Sequence, residues 1–320
     1  MRVLSGIQPS GKLHLGNYFG MMKPALELQE TGDAFLFIAD YHALTSVSDP
    51  DVLRQATRDV ALDFLACGLN TGKTVFYRQS DVPEIQELTW LLSIVTPMGL
   101  LERCHSYKDK VVRGLLASHG LFSYPVLMAA DILGIQSDVV PVGQDQKQHV
   151  EVTRDIAIKF NQKFGDVFKI PEPAIRRTVA VVPGVDGQKM SKSYHNTIDL
   201  FGSAADTKKA VMRIVTDSKT VEDKKDPERC HVFALYRLFV TEAEAGAMAE
   251  RYRAGGLGYG EVKKALCERL QAYFEPYRKQ RDELQRDPER VNQVLRDGAV
   301  RARVEILKTL KAARRAVGLD

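Results

Sequence analysis

Hydrophobic positions in the first half of the chain come in two rhythms. Short, nearly unbroken apolar runs at Val3-Leu4, residues 33–40 (DAFLFIAD), residues 74–80 (TVFYRQS) and residues 138–143 (DVVPVG) predict β-strands. Between them the apolar residues recur three or four apart. In DPDVLRQATRDVALDFLACG, Leu53, Val60, Phe64 and Cys67 form one stripe, with Asp49 or Asp51 as N-cap and Gly68 as stop. Strands separated by helices require right-handed crossovers, so the pattern predicts an α/β fold with a parallel, doubly wound sheet. Ligands of such sheets bind outside the carboxyl ends of the strands, which directs attention to the residues just after each run.

After about residue 200 the β-runs largely stop. In EVKKALCERLQAYFEPYRKQ, Val262, Leu266, Leu270, Tyr273, Phe274 and Tyr277 fall at helical spacing, and Gly255-Gly256 marks a turn between helices. The expected organisation is an α/β domain over residues 1–199 and an all-α domain over residues 200–320, whose last helix can pack back on the first domain. No internal repeat interrupts this division.

Composition narrows the picture. A chain of 320 residues can bury two ordinary cores. The longest apolar stretch, GLFSYPVLMAADILGI, is broken by Asp131 and is too short for a membrane span, and the apolar run behind Met1-Arg2 is too short for a signal peptide. Cys67, Cys104, Cys230 and Cys267 are scattered without metal-ligand spacing, which predicts free thiols in a reducing, cytoplasmic compartment. The net charge of +4 is uneven: residues 201–320 carry 25 Lys and Arg against 19 Asp and Glu, and the rest of the chain 20 against 22. A basic rear half suits contact with a polyanion.

Two glycine-rich stretches carry the candidate chemistry. SGIQPSGKLHLGNYFG (residues 5–20) follows the first strand and leads into a helical pattern, the position at which backbone N–H groups and a helix start attract anions. It fits neither the dinucleotide nor the P-loop fingerprint, and by composition alone it could be only a turn. PGVDGQKMSKSYHN (residues 183–196) places Lys189 and Lys192 on either side of Ser191, so that two ammonium groups can reach one polyphosphate.

HLGN (residues 14–17) and KMSKS (residues 189–193) resemble the two signatures of class I aminoacyl-tRNA synthetases, and SGIQPSG, YPVLMAADIL and GQDQKQH narrow the resemblance to the bacterial tryptophanyl-tRNA synthetases, in order and over nearly the whole chain. The resemblance implies a Rossmann-like catalytic domain containing the KMSKS loop, a helical anticodon-binding domain and a homodimer. It implies activation of L-tryptophan by ATP, with Mg2+ held mainly by the ATP phosphates and no protein-bound metal, and then transfer to tRNA(Trp). Gln8, Pro9 and Ser10 are expected along the α-phosphate and carboxylate side. Gly16 and Asn17 are expected against the nucleotide, with His14 on the phosphates. Gly143, Gln144 and Asp145 would hold the ribose and Val182 would flank the adenine. Lys189, Met190, Ser191, Lys192 and Ser193 would close on the phosphates, with Lys110, Lys189, Lys192 and Gln8 as the catalytic set. Tyr124 and Gln146 would hold the substrate ammonium, Met128 would pack on the indole, and Ser5 and His42 would line the same pocket. The family often has an aromatic residue where this chain has Leu4.

Asp131 can be read without the family. In YPVLMAADILGI a helix would bury its carboxylate, which is costly unless it is paired or hydrogen-bonded. It is either a structural ion pair or cap, or an acceptor for an indole N–H, which can only donate. His42 has the same two readings, structural or pocket-lining. Rival functions are a tyrosyl-tRNA synthetase, a small adenylyltransferase and a non-charging regulatory paralogue. Intact lysines at 110, 189 and 192 speak against the last.

Overall fold

The computed structural model describes residues 1–30, 32–112, 118–143, 146–175 and 182–319, without the side chains of Ser106, Asp109, Lys110 and Ile175. Five strands are formed: β1 (Arg2–Ile7), β2 (Asp33–Ile38), β3 (Thr74–Arg78), β4 (Val139–Val142) and β5 (Glu172–Ile175). They make one sheet in the order β3-β2-β1-β4-β5 with every pairing parallel, in the register Ile7 with Ile38, Val3 with Val139 and Phe37 with Tyr77. The chain order reverses between β1 and β4, and that is where a doubly wound sheet opens its ligand crevice. Four of these strands coincide with the apolar runs. The fifth, EPAI, was not among the expected runs. Proline lacks a ladder donor and is tolerated at a sheet edge, where β5 lies.

Helices α1 (Leu15–Asn17) and α2 (Lys23–Leu28) are joined by a π-helical turn at Tyr18–Met22. Pro24 follows directly and has no N–H for the carbonyl one turn back, so the helix widens there. Then come α3 (Asp40–Ala43), α4 (Pro50–Ala66), α5 (Glu84–Ser93), α6 (Met98–Glu102), α7 (His105–Val112), α8 (His119–Gly134) and α9 (Lys147–Phe164). After residue 200 the regular elements are helical: α10 (Ala204–Met212), α11 (His231–Tyr236), α12 (Glu242–Ala254), α13 (Tyr259–Arg286) and α14 (Pro288–Val317). Asp49 caps α4 through bonds from the Asp51 and Val52 amides, and Thr241 with Glu244 closes a capping box on α12.

Alternation along the strands sorts the core into two layers. Ile7, Leu36, Ile38 and Phe76 point into one cluster with Val60 and Phe64 of α4. That cluster runs on without a break into Val262, Leu266, Leu270 and Phe274 of α13. Leu4, Phe35, Phe37, Val75 and Tyr77 point the other way, against Leu88 of α5, Ile132 of α8 and Ile156 of α9. Helix α14 returns along edge strand β3, and Ala299, Ala302 and Ile306 join this second cluster. Gly298 makes that approach possible: a Cβ there would lie 1.8 Å from the Phe76 carbonyl oxygen. All four cysteines are buried free thiols. Among the described residues no helix is long and apolar enough to cross a membrane.

Candidate active site

The first signature begins where β1 ends. Pro9 is buried and turns the chain, and His14 caps α1 in an unusual way. Its backbone N–H donates to Asn17 Oδ1 at 3.1 Å, while its Nδ1 accepts from the Asn17 amide at 3.3 Å. With Nδ1 an acceptor, the ring proton of neutral His14 is on Nε2. Burial, and then the charge of Lys192, lower the His14 pKa from 6.5 to about 4, so the imidazole is neutral near pH 7.

The second signature is folded onto the first. Leu15 N–H donates to Ile198 O at 3.0 Å and Leu200 N–H to Leu13 O at 2.9 Å, fixing the two segments side by side. The Gly16 amide donates to Met190 Sδ at 3.4 Å, and Lys192 Nζ donates to Ser10 Oγ at 3.4 Å. A Cβ on Gly16 would lie 2.9 Å from the His14 ring and 3.2 Å from Met190 Cβ, so the approach requires glycine. Burial holds the Lys192 pKa below the usual ammonium range, with Asp199 opposing.

The loop itself is a short hairpin, with Pro183 bridged to Lys189 and the Met190 amide donating to Val182 O at 2.9 Å. Asn196, 1% exposed, staples it: Oδ1 accepts from the Ser191 amide at 2.7 Å, and Nδ2 donates to Asp186 Oδ1 at 2.8 Å and Lys189 O at 3.1 Å. Ser191 caps the turn that carries Lys192 and Ser193. Lys189 and Ser193 are exposed, whereas Lys192 is half-buried.

A third cluster lies at the ends of β2 and β3. Asp131 on α8 is 2% exposed, and both its oxygens lie 2.8 Å from Gln79 Nε2, with Oδ2 also 2.9 Å from His42 Nε2. Burial raises the Asp131 pKa above the usual carboxylate value, against the pull of His42 and Gln79. Gln8 Nε2 donates to His42 O at 2.8 Å, which links this cluster to the first signature. Tyr124 sits edge-on to the His42 ring at 6.1 Å and shares a hydrogen bond with His149. Met128 and Ser5 are half-buried, and Leu4 is buried in the core.

Gly143 ends β4 and accepts from the Gln146 amide at 3.0 Å, which places both beside the crevice. Gln144, Asp145 and the Lys110 side chain lie outside the described residues. Gln79 and Asn196 were absent from the expected set. Gln79 falls inside the expected β-run of residues 74–80, whose strand ends at Arg78, and Asn196 closes the quoted lysine loop.

Residues 1–275 match the family described as tRNA synthetases class I (W and Y). The chain is 54% identical over 319 residues to the tryptophan–tRNA ligase of Rhodopirellula baltica, covering 100% of each chain. It is 51% identical to that of Fusobacterium nucleatum, covering 99% of this chain and 98% of the other. The crystal structure of tryptophanyl-tRNA synthetase from Campylobacter jejuni complexed with ADP and tryptophan superposes with a TM-score of 0.95 at 51% identity, over 100% of both chains. The fold, the meeting of the two signatures and these full-length likenesses agree, and the chain belongs to the class I tRNA synthetases of the tryptophan and tyrosine branch.

Proposed function

We propose that this chain is a tryptophan–tRNA ligase that activates L-tryptophan with ATP and transfers it to tRNA(Trp). The observation that carries the reading is the contact of Lys192 with Ser10, which brings a lysine of the second signature onto the anion-binding turn of the first. In the first step a tryptophan carboxylate oxygen bonds to the α-phosphorus, the bond to the bridging oxygen breaks, and pyrophosphate leaves. The reaction uses no protein nucleophile, so orientation and charge stabilisation supply the rate. Lys192 and Lys189 neutralise charge on the departing phosphates, joined by Lys110. His14, neutral with its proton on Nε2, donates a hydrogen bond to phosphate and takes no proton. Gln8, tethered to the His42 carbonyl, stands where the amino acid and the α-phosphate meet.

Gly16 and Asn17 lie against the nucleotide, Gly143, Gln144 and Asp145 hold the ribose, and Val182 borders the adenine. Asp131 accepts the indole N–H, with Met128, Ser5 and His42 around the ring and Tyr124 and Gln146 toward the ammonium. Magnesium arrives on the ATP phosphates as part of that substrate. In the second step a ribose hydroxyl of the terminal adenosine attacks the acyl carbon and AMP leaves.

Residues 1–199 serve as the catalytic domain and residues 200–320 as the anticodon-binding one. The excess of 25 Lys and Arg over 19 Asp and Glu in residues 201–320 supports that assignment, since net positive charge suits a phosphate backbone. A homodimer in the cytoplasm completes the reading. Trp90, Ile94 and Met98, 70%, 45% and 63% exposed on α5, just beyond it and at the start of α6, offer an apolar face for a second copy.

The test is amino-acid-dependent ATP–pyrophosphate exchange. Exchange with tryptophan supports the reading, exchange with tyrosine alone reassigns the substrate, and exchange with neither makes the chain a non-charging paralogue.

A further inference from the structure

Gln79 occupies the first position after β3 and is 0% exposed. Its side-chain nitrogen lies 2.8 Å from each Asp131 oxygen, and His42 Nε2 supplies a further donor to Oδ2. An ionised carboxylate accepts about four hydrogen bonds. One amide hydrogen shared between the two oxygens and one imidazole hydrogen take up only part of that capacity and leave the carboxylate able to accept a further donor.

The other end of the same amide is equally informative. Gln79 Oε1 is buried with no hydrogen-bond partner among the described residues. Turning the amide over would set Oε1 against both carboxylate oxygens, so the carboxylate fixes the orientation and the orphaned acceptor is its consequence. A buried carboxylate beside a buried unpaired carbonyl oxygen has one unmet need, a donor. Helix α8 around Asp131 is otherwise apolar, with Ala129, Ala130, Ile132 and Leu133 all buried.

We propose that Gln79 is the positioning residue that makes this pocket selective for an indole N–H. It clamps Asp131 so that the carboxylate keeps acceptor capacity for the ligand, and with His42 it holds the carboxylate in place. A ring with an N–H donor meets that need, and a ring of the same shape without that hydrogen leaves it unmet. This inference rests on the reading that tryptophan is the amino acid bound.

The experiment compares exchange with tryptophan and with benzothienylalanine, in which sulfur replaces the indole N–H. The wild-type protein is expected to prefer tryptophan in kcat/KM by roughly 100-fold or more. In Gln79→Met, which fills the same volume without donors, the KM for tryptophan rises about tenfold, the KM for ATP stays within about twofold, and the preference shrinks about tenfold. If Gln79 only fills space, both amino acids weaken together and the preference keeps its wild-type value, which overturns the proposal. Thermal melting checks that the variant folds. Where it does not, Gln79→Glu keeps the shape and must also lower the preference; an unchanged preference there overturns the proposal in the same way. Failure of the wild-type protein to exchange with tryptophan refutes the functional reading and this inference with it. Wild-type exchange with an unchanged preference in the variant refutes only the role of Gln79.

Discussion

Lys192 Nζ lies 3.4 Å from the hydroxyl of Ser10, a residue 182 positions earlier in the chain, and its charge reaches the His14 ring as well. A cation held against the anion-binding turn before substrate arrives needs little reorganisation when pyrophosphate departs. Lys192→Ala is therefore expected to lower kcat for exchange by about 10²- to 10³-fold. The KM for tryptophan should change less than about threefold, because the proposed indole pocket around Asp131 lies at the ends of β2 and β3. A large rise in that KM with kcat intact would move Lys192 out of the phosphate site.

Asn196 makes three side-chain bonds, all within the hairpin, to the Ser191 amide, Asp186 and the Lys189 carbonyl. Asn196→Ala leaves the Ser191 amide and the Lys189 carbonyl without these partners, so the lysines lose their fixed register. The expected result is a kcat for exchange lowered about tenfold or more, with tryptophan binding, measured by quenching of intrinsic fluorescence, essentially retained. Equal loss of binding and rate would assign Asn196 to the fold instead.

His14 gives a prediction whose sign follows from its lowered pKa of about 4. Between that value and 6.5 the unfolded chain takes up a proton that the folded chain refuses. Folding stability attributable to His14 is therefore complete above about pH 6.5 and falls as the pH drops toward 4. The wild-type urea midpoint should lose ground to that of His14→Asn as pH falls through this window. His14→Asn keeps a neutral N–H donor and should retain more exchange activity than His14→Ala. A wild-type rate loss centred near pH 6.5 and absent from His14→Asn would mean that the ring becomes charged in the working site.

Much of this arrangement was readable in the chain. Four strands, the cap at Asp49, the stripe on α13 and the burial of Asp131 follow from spacing and polarity, because each depends on neighbours a few residues away. Strand β5 did not, since EPAI is a four-residue segment with no apolar run to mark it. The π-helical turn at Tyr18–Met22 and the run of α14 beside β3 were equally illegible, being set by contacts between distant segments such as Gly298 with Phe76. For Asp131 the sequence left a choice between a structural ion pair and a ligand acceptor. The structure shows a bond to His42 and a bidentate hold by Gln79, with no Lys or Arg paired to it among the described residues. His42 thereby acquires a defined structural partner inside the expected pocket. Lys189 and Lys192 look alike in the sequence, yet one is exposed and the other half-buried against Ser10, a difference made by the fold of the hairpin.

Asp131→Asn keeps the shape but turns one end of the group into a donor facing Gln79 and His42, which also donate. The KM for tryptophan should rise about tenfold or more while that for ATP stays within about twofold. Because burial raises the Asp131 pKa, the wild-type KM for tryptophan should climb on the acid side at a pH above the ordinary carboxylate value of 3.8. The asparagine variant, with nothing to protonate there, should lack that limb. Parallel rises in both KM values would make Asp131 a structural residue.

Arg281 on α13 bridges two carboxylates of α4, with Nη2 at 2.6 Å from Asp59 and Nε at 2.6 Å from Asp63. Asp63 is 3% exposed, and burial raises its pKa to about 6 even though the Arg281 charge pulls it down. Removing the guanidinium leaves a buried carboxylate without its cation, a change that costs about 3 kcal/mol when the carboxylate must stay ionised. Arg281→Met should therefore lower the urea midpoint clearly at pH 8. At pH 5 the loss should be smaller, because the unpaired Asp63 can take up a proton: a raised folded-state pKa favours the folded chain on the acid side and loses that advantage as pH rises through 6. Arg281→Met with Asp63→Leu removes charge and countercharge together and should recover much of the loss at pH 8. A destabilisation that is the same at both pH values and is not relieved by the second substitution would mean that Arg281 acts through the packing of its side chain and not through its pairing with Asp63.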